Sequence, residues 1–281
     1  MTKAKPLQNP VFFFRGLNTR GDENLRFGRL ALGPMHAPWL RQLDARKISA
    51  YAITGRGGGR LQEQVERAKQ TILSLPIWQT PGTRFHFLAH STGGLVARAL
   101  VHELAQPSRV LSVTTIASPH GGARLADLLP TLPARRPRLN RLLHAFDYRI
   151  EEKVSTFSDL TKSQINNFNL AYPDIPGVQY GSAVFSMKEA DLSWPVQLVR
   201  RMVLAGREST ESDGIVDRLE QHWGQVFHEA ALDHMNQIGY NLRLNPRLRW
   251  QAKKEFLRLV DKAVEFMQLS ERPPLHDDAI N

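Results

Sequence analysis

Ser91 stands at the centre of Ala89-His90-Ser91-Thr92-Gly93, a small-x-Ser-x-small pattern between the apolar, aromatic-rich run Phe85–Leu88 and the helical period Gly94–Leu100. A serine at such a strand-to-helix junction is a nucleophile elbow, a strained turn that lifts the hydroxyl clear of a sheet. Small residues are required two positions before and after it, because neighbouring backbone crosses there and a larger side chain would clash. The hydroxyl attacks a carbonyl only when a base takes its proton and an acid orients that base. Downstream, Asp213 opens an Asp-Gly turn within Glu211–Val216, and His234 lies within Leu232–Gln237. Asp217 and Asp233 compete for the acid's role, and His222 and His228 are competing histidines. Asp213 is preferred, because an Asp-Gly turn at a strand end suits a carboxylate held rigidly at a sheet's rim.

Attack on a carbonyl also builds negative charge on its oxygen, which two preorganised N–H groups must meet. The residue after the nucleophile, Thr92, is expected to supply one. The loop after the first apolar strand, Phe14–Asn18, is expected to supply the other through the Leu17 N–H, with Gly16 letting backbone approach closely. Arg15, Gly16 and His90 are expected to line the substrate's position. No cysteine is present, so there is no disulfide framework, thiolate metal site or cysteine nucleophile. No metal ligand set is expected.

The elements that must hold these groups follow from hydrophobic periodicity. Val11–Phe14 reads as a buried strand, Lys47–Thr54 as a second, and Leu61–Leu75 as a helix with apolar residues at 61, 65, 68, 72 and 75. Arg84–Ala89 is the strand entering the elbow and Thr92–Leu104 the helix leaving it; Val110–Ala117, Val178–Phe185 and Gly224–His228 read as further strands. Asn245-Pro246 is an N-cap and N1 pair opening a helix whose apolar face runs to Met267. Strands apolar on both faces, alternating with helices, predict a mostly parallel sheet covered on both sides. Residues 123–175 break the rhythm with prolines at 130, 133 and 137, a run of leucines and six arginines, and read as a helical lid or cap inserted into a single domain over 1–281.

Composition sets outer limits. The 281 residues are 42% hydrophobic and 23% charged, an ordinary globular balance. No apolar run approaches the ~20 residues of a spanning helix, and no signal peptide is seen at the N-terminus, so a cytoplasmic protein without a transmembrane segment is expected. The net charge of +10 favours anionic partners. No helix-turn-helix, zinc-finger or basic-aromatic repeat accompanies it, so no nucleic-acid partner is expected. An anionic lipid surface is the partner that the arginines at 124–149 suggest.

Several motifs in order resemble the bacterial true lipases of the α/β-hydrolase fold. The family's oxyanion-loop His-Gly-Leu is matched by Arg15-Gly16-Leu17 and its elbow by Ala89–Gly94. Its Thr-Thr-Ile-x-Thr-Pro-His-x-Gly is matched by Thr114–Gly122, its Asn-Asp-Gly-Leu-Val by Ser212–Val216, and its Asp-His-Leu-Asp by Asp233–Asn236. Leu160-Thr161, Phe168-Asn169 and Tyr172-Pro173 are similar to the segment that ends the family's lid. The resemblance implies an α/β-hydrolase fold, a lid, the triad Ser91, Asp213 and His234 (in that family's order of serine, acid, histidine), and a lipid or acyl-ester substrate. It also implies a structural calcium, but Asn236 stands where a ligating aspartate is expected and only Asp191 remains upstream, so no cofactor is expected. Arg15 in place of the loop histidine brings a cation to the mouth, which would favour acidic or phosphorylated substrates.

These readings converge on a serine ester hydrolase acting through an acyl-enzyme. Acyl transfer, thioester cleavage or polyester depolymerisation would use the same triad. A catalytically dead hydrolase fold whose basic face binds anionic partners is the contrasting class.

Overall fold

In the computed structural model, residues 6–16, 24–27, 30–53, 59–104, 106–128, 157–204 and 211–272 are described. Six parallel strands form one sheet in the order β4-β1-β5-β6-β7-β8. They are β1 (Val11–Phe14), β4 (Ala50–Ile53), β5 (Phe85–His90), β6 (Val110–Ile116), β7 (Gln179–Phe185) and β8 (Gln225–Ala230). A separate antiparallel hairpin, β2 (Asn24–Phe27) and β3 (Leu30–Pro34), lies between β1 and β4 in the chain.

All four residues of β1 are buried, and the two-residue period of a strand explains why this needs two cores. Phe12 and Phe14 point to one side, among Phe85, Phe87, α2 (Leu61–Ser74), α3 (Pro76–Gln79) and α4 (Gly93–Glu103). Val11 and Phe13 point to the other, among Leu88, Ile116, α1 (Ala37–Asp44) and the long C-terminal helix. Phe12 stacks on Phe85 at 4.5 Å and Phe13 on Trp39 at 6.0 Å. Each fully buried ring contributes about 1.5–3 kcal/mol of transfer free energy, so the central strands are the best-anchored part of the chain.

The expected strands all form, β1 with the expected bounds and the others with ends shifted by at most three residues. The strand expected at Lys47–Thr54 is confined to Ala50–Ile53, since Lys47 takes a left-handed φ of 59° and completes a turn instead. The last strand runs two residues further than expected, to Ala230. Asn245 caps the final helix by accepting from the Arg247 N–H at 2.9 Å. The hairpin, α1, α3 and α7 (Trp194–Leu204) were not anticipated, and they lie in stretches where proline, charge or weak alternation hides the period.

The segment 123–175 contributes α5 (Arg124–Leu128) and α6 (Lys162–Ala171), with α8 (Pro246–Leu269) closing the chain. Of the lid expected over 123–175, residues 129–156 lie outside the described residues, and with them most of its arginines and leucines. The C-terminal end of the segment rests on the elbow helix, where the Arg98 guanidinium is buried. Arg98 donates to Asn169 Oδ1 (2.8 Å) and to the Tyr172 carbonyl (2.9 Å), and lies 3.4 Å over the Trp223 ring.

Candidate active site

Parallel strands place all their C-terminal ends at one edge, and there the sheet gathers the expected residues. Ser91 follows β5 directly and has φ 55°, a left-handed backbone for a non-glycine residue. Two close approaches fix this elbow. A Cβ on Gly93 would meet the Phe14 carbonyl at 2.5 Å and that of Arg15 at 2.6 Å, while one on Gly94 would collide with Ser118 Oγ. The small-residue requirement is therefore enforced by the end of β1. Ala89, in the matching upstream position, is fully buried between β1 and β6.

His234 sits in the turn after β8, with its Nε2 3.0 Å from Ser91 Oγ and its Nδ1 2.7 Å from Asp213 Oδ2. Asp213 is completely buried, and its Oδ1 accepts from the Ile215 and Val216 N–H groups at 2.9 and 2.8 Å. Burial alone would raise this carboxyl's pKa. The His234 charge and the hydrogen bonds to His234, Val216 and Gln237 outweigh it and hold the group below its ordinary value.

The acid does not follow its strand directly. After β7 the chain detours through α7 before Asp213 returns to the rim, where the Met187 N–H donates to the Ser212 carbonyl at 2.9 Å. Buried Gln221 fastens the turn to the sheet: its Oε1 accepts from Phe185 N–H, and its Nε2 donates to the Phe185 and Val216 carbonyls.

The rival acids are placed elsewhere. Asp233, though next to His234 in sequence, accepts through Oδ2 from the Ser193 N–H and Oγ, and through Oδ1 from the Met235 and Asn236 N–H groups. It ties the histidine turn to the start of α7. Asp217 bridges Ser212 across the acid turn. Among the histidines, His222 is exposed and His228 faces Glu255 of α8.

Gln237 is the residue that sequence reasoning missed. Its Nε2 donates to Asp213 Oδ2 at 2.9 Å, and its Oε1 faces His90 Nε2 at 3.1 Å. Because the amide oxygen can only accept, His90 must carry its proton on Nε2. His90, expected among the substrate contacts, is thus buried beside His234, 1% exposed and with its ring 4.6 Å from that of His234. Burial first, and then the His234 charge, lower its pKa to about 3. The only signal for Gln237 was its spacing, three residues after His234 and so on the same tight turn.

Of the expected oxyanion donors, Thr92 is the N-cap of α4, so its N–H has no acceptor within the helix. Leu17 lies outside the described residues. Gly16 before it packs on Ser91, since a Cβ there would lie 2.8 Å from Ser91 Cβ. Arg15, partly buried, continues β1 toward the same edge.

The calcium that the resemblance implies does not fit these side chains. All of Asp233's strong acceptor positions are engaged, and the Nδ2 of Asn236 donates to the Tyr240 carbonyl. A cation is already supplied: the buried Arg243 guanidinium lies with Nε 3.7 Å from Asp233 Oδ2. Burial lowers the Arg243 pKa, while the Asp233 and Asp191 charges oppose that shift.

This parallel sheet, with a serine elbow after a central strand, defines the α/β-hydrolase fold. The sequence pattern of the palmitoyl protein thioesterase family matches residues 48–165. The chain is 29% identical over 168 residues to triacylglycerol lipase 2 of Saccharomyces cerevisiae, covering 57% of this chain and 47% of that one. It is 26% identical over 240 residues to the triacylglycerol lipase of Pseudomonas fragi, covering 71% and 78%. The chain thus spans about half the length of the yeast relative and more than two thirds of the bacterial one. Staphylococcus hyicus lipase superposes with a TM-score of 0.66 at 15% identity, covering 95% of this chain and 98% of that chain. A metagenomic carboxyl esterase gives 0.64 at 15%, covering 94% and 76%. The resemblance to lipases is borne out by sequence relatives and structural neighbours together. No helix among the described residues is long and apolar enough to cross a membrane.

Proposed function

We propose that this protein is a serine carboxylic ester hydrolase acting on acyl esters of lipids, with Ser91 as nucleophile, His234 as base and Asp213 as the orienting acid. The continuous chain of bonds from Ser91 Oγ through the His234 ring to Asp213 carries the reading. His234 Nε2 takes the hydroxyl proton as Oγ adds to the ester carbonyl, and the developing oxyanion is met by the N–H groups of Thr92 and Leu17. Collapse expels the alcohol, which receives its proton from His234, and leaves an acyl-enzyme. A water deprotonated by His234 then releases the acid and restores Ser91. Asp213, kept ionised at neutral pH, holds the Nδ1–H tautomer and stabilises the imidazolium formed in each half-reaction. The names of the lipase relatives support a lipid ester as substrate. The same site leaves thioester cleavage as the second reading, favoured by the thioesterase family match. His90, uncharged beneath the ring, adds no competing cation.

The test is labelling with a fluorophosphonate, followed by turnover of p-nitrophenyl esters and acyl thioesters of graded chain length. Stoichiometric labelling of the wild type and none in Ser91→Ala is the expected outcome. An unreactive wild-type protein would overturn the reading in favour of a binding protein on a hydrolase fold.

A further inference from the structure

Behind the histidine turn lies a cleft of about 380 Å³ between α1, the 236–241 turn and α8, distinct from the triad and independent of the function proposed for it. Arg41 from α1 and Arg249 and Lys253 from α8 stand around it, with no carboxylate in its lining. None of these three cations forms a salt bridge among the described residues, although Arg46, in the turn after α1, and Arg258 and Lys262 on α8 are all paired with carboxylates. Cations left unpaired around a concavity favour an anion there, because each neutralised charge gains without first breaking an internal pair.

Two further features narrow the chemistry. Trp250, 64% exposed, and half-buried Leu257 give the cleft an apolar wall, which a purely ionic ligand would leave wet. At its base Asn236 is 2% exposed, and with Nδ2 committed to the Tyr240 carbonyl its Oδ1 has no hydrogen-bond partner. A buried acceptor left unmade is costly, and a hydroxyl is the group that would satisfy it. We infer that this cleft binds a single-chain amphiphile with a phosphate head and an adjacent hydroxyl, of the monoacylglycerol phosphate class. The phosphate lies among Arg41, Arg249 and Lys253, the hydroxyl donates to Asn236 Oδ1, and the chain runs along Trp250. Its occupant would bear on the turn that carries His234, two residues from Asn236.

The experiment is calorimetric titration of the full chain with 1-O-dodecyl-glycerol 3-phosphate, an ether that an esterase cannot cleave, below its micelle concentration. Saturable one-to-one binding is expected, weakened at least tenfold in the Arg41→Gln/Arg249→Gln double variant. The neutral analogue 1-O-dodecyl-glycerol should bind at least tenfold more weakly. Equal affinity for the neutral analogue, or unchanged affinity in the double variant, would overturn the inference. So would inorganic phosphate binding as tightly as the amphiphile, which would mark a plain anion site. Binding seen only with phosphatidylglycerol vesicles would replace the cleft with a membrane-facing surface.

Discussion

Gln237 Nε2 donates to the same oxygen of Asp213 that receives His234 Nδ1–H, so one side chain fixes the acid from behind while reaching His90 through its other end. With Oδ1 held by two backbone N–H groups, every strong acceptor position on Asp213 is filled. The carboxylate has no alternative rotamer that keeps its bonds.

Gln237→Ala should therefore lower kcat about 10- to 100-fold with little change in KM, because it loosens the acid rather than the substrate's place. Gln237→Glu should do more harm by setting a second carboxylate against Asp213. Steady-state kinetics on a short-chain ester decides this; an unchanged kcat in both variants would remove the positioning role.

Ser91→Ala and His234→Ala should each reduce turnover by on the order of 10⁴- to 10⁶-fold, and the double variant should be scarcely worse than either, since the pair acts as a unit. Multiplicative losses in the double variant would show that the two act separately.

Asp213→Asn should cost about 10⁴-fold in rate while the fold survives. Asp233→Asn should do the reverse. It weakens the bonds to Ser193 and the turn, destabilising the protein by several kcal/mol because the buried Arg243 loses its counter-charge. Measuring rate and melting temperature on both variants separates the roles, and a rate loss confined to Asp233→Asn would exchange them.

Acid should destabilise the protein through His90. Its folded pKa is about 3 against an ordinary 6.5, so below pH 6.5 the unfolded chain binds a proton that the folded one refuses. Stability from this group is whole above pH 6.5 and is lost progressively as pH falls toward 3. Asp213, held low, adds loss of the same sign at the acid end, as pH falls through its folded value. Melting temperature should fall through this window, and less steeply in His90→Asn. Parallel profiles for the two proteins would contradict it.

Calcium should leave the melting temperature unchanged at constant ionic strength, and a chelator should have no effect, because Arg243 already serves as the cation beside Asp233. Arg243→Met should lower stability by about 3–5 kcal/mol, with no rescue by calcium, since it strands a buried carboxylate. A calcium-dependent rise in the wild type would reinstate the metal.

The chain's local signals determined the strands, the elbow and the order of serine, acid and base. These depend on features a sequence writes directly: two-sided burial makes β1 and β5 continuous apolar runs, and backbone crossing at the elbow demands glycine at 93. Asp213 was already preferred over Asp233 in the sequence, and the tertiary structure adds where each carboxylate lies. Both flank apolar residues; the detour through α7 returns Asp213 to the histidine, while Asp233 is consumed by Ser193. His90, expected as a substrate contact, lies buried against Gln237, because side-chain direction on a strand depends on which core covers that face. Gln237, Gln221 and Arg243 were likewise hidden, since a polar residue's worth lies in the buried partner it meets, and those partners are 10 to 147 residues away in the chain. Periodicity records what is buried, and the tertiary structure decides which buried polar groups face one another.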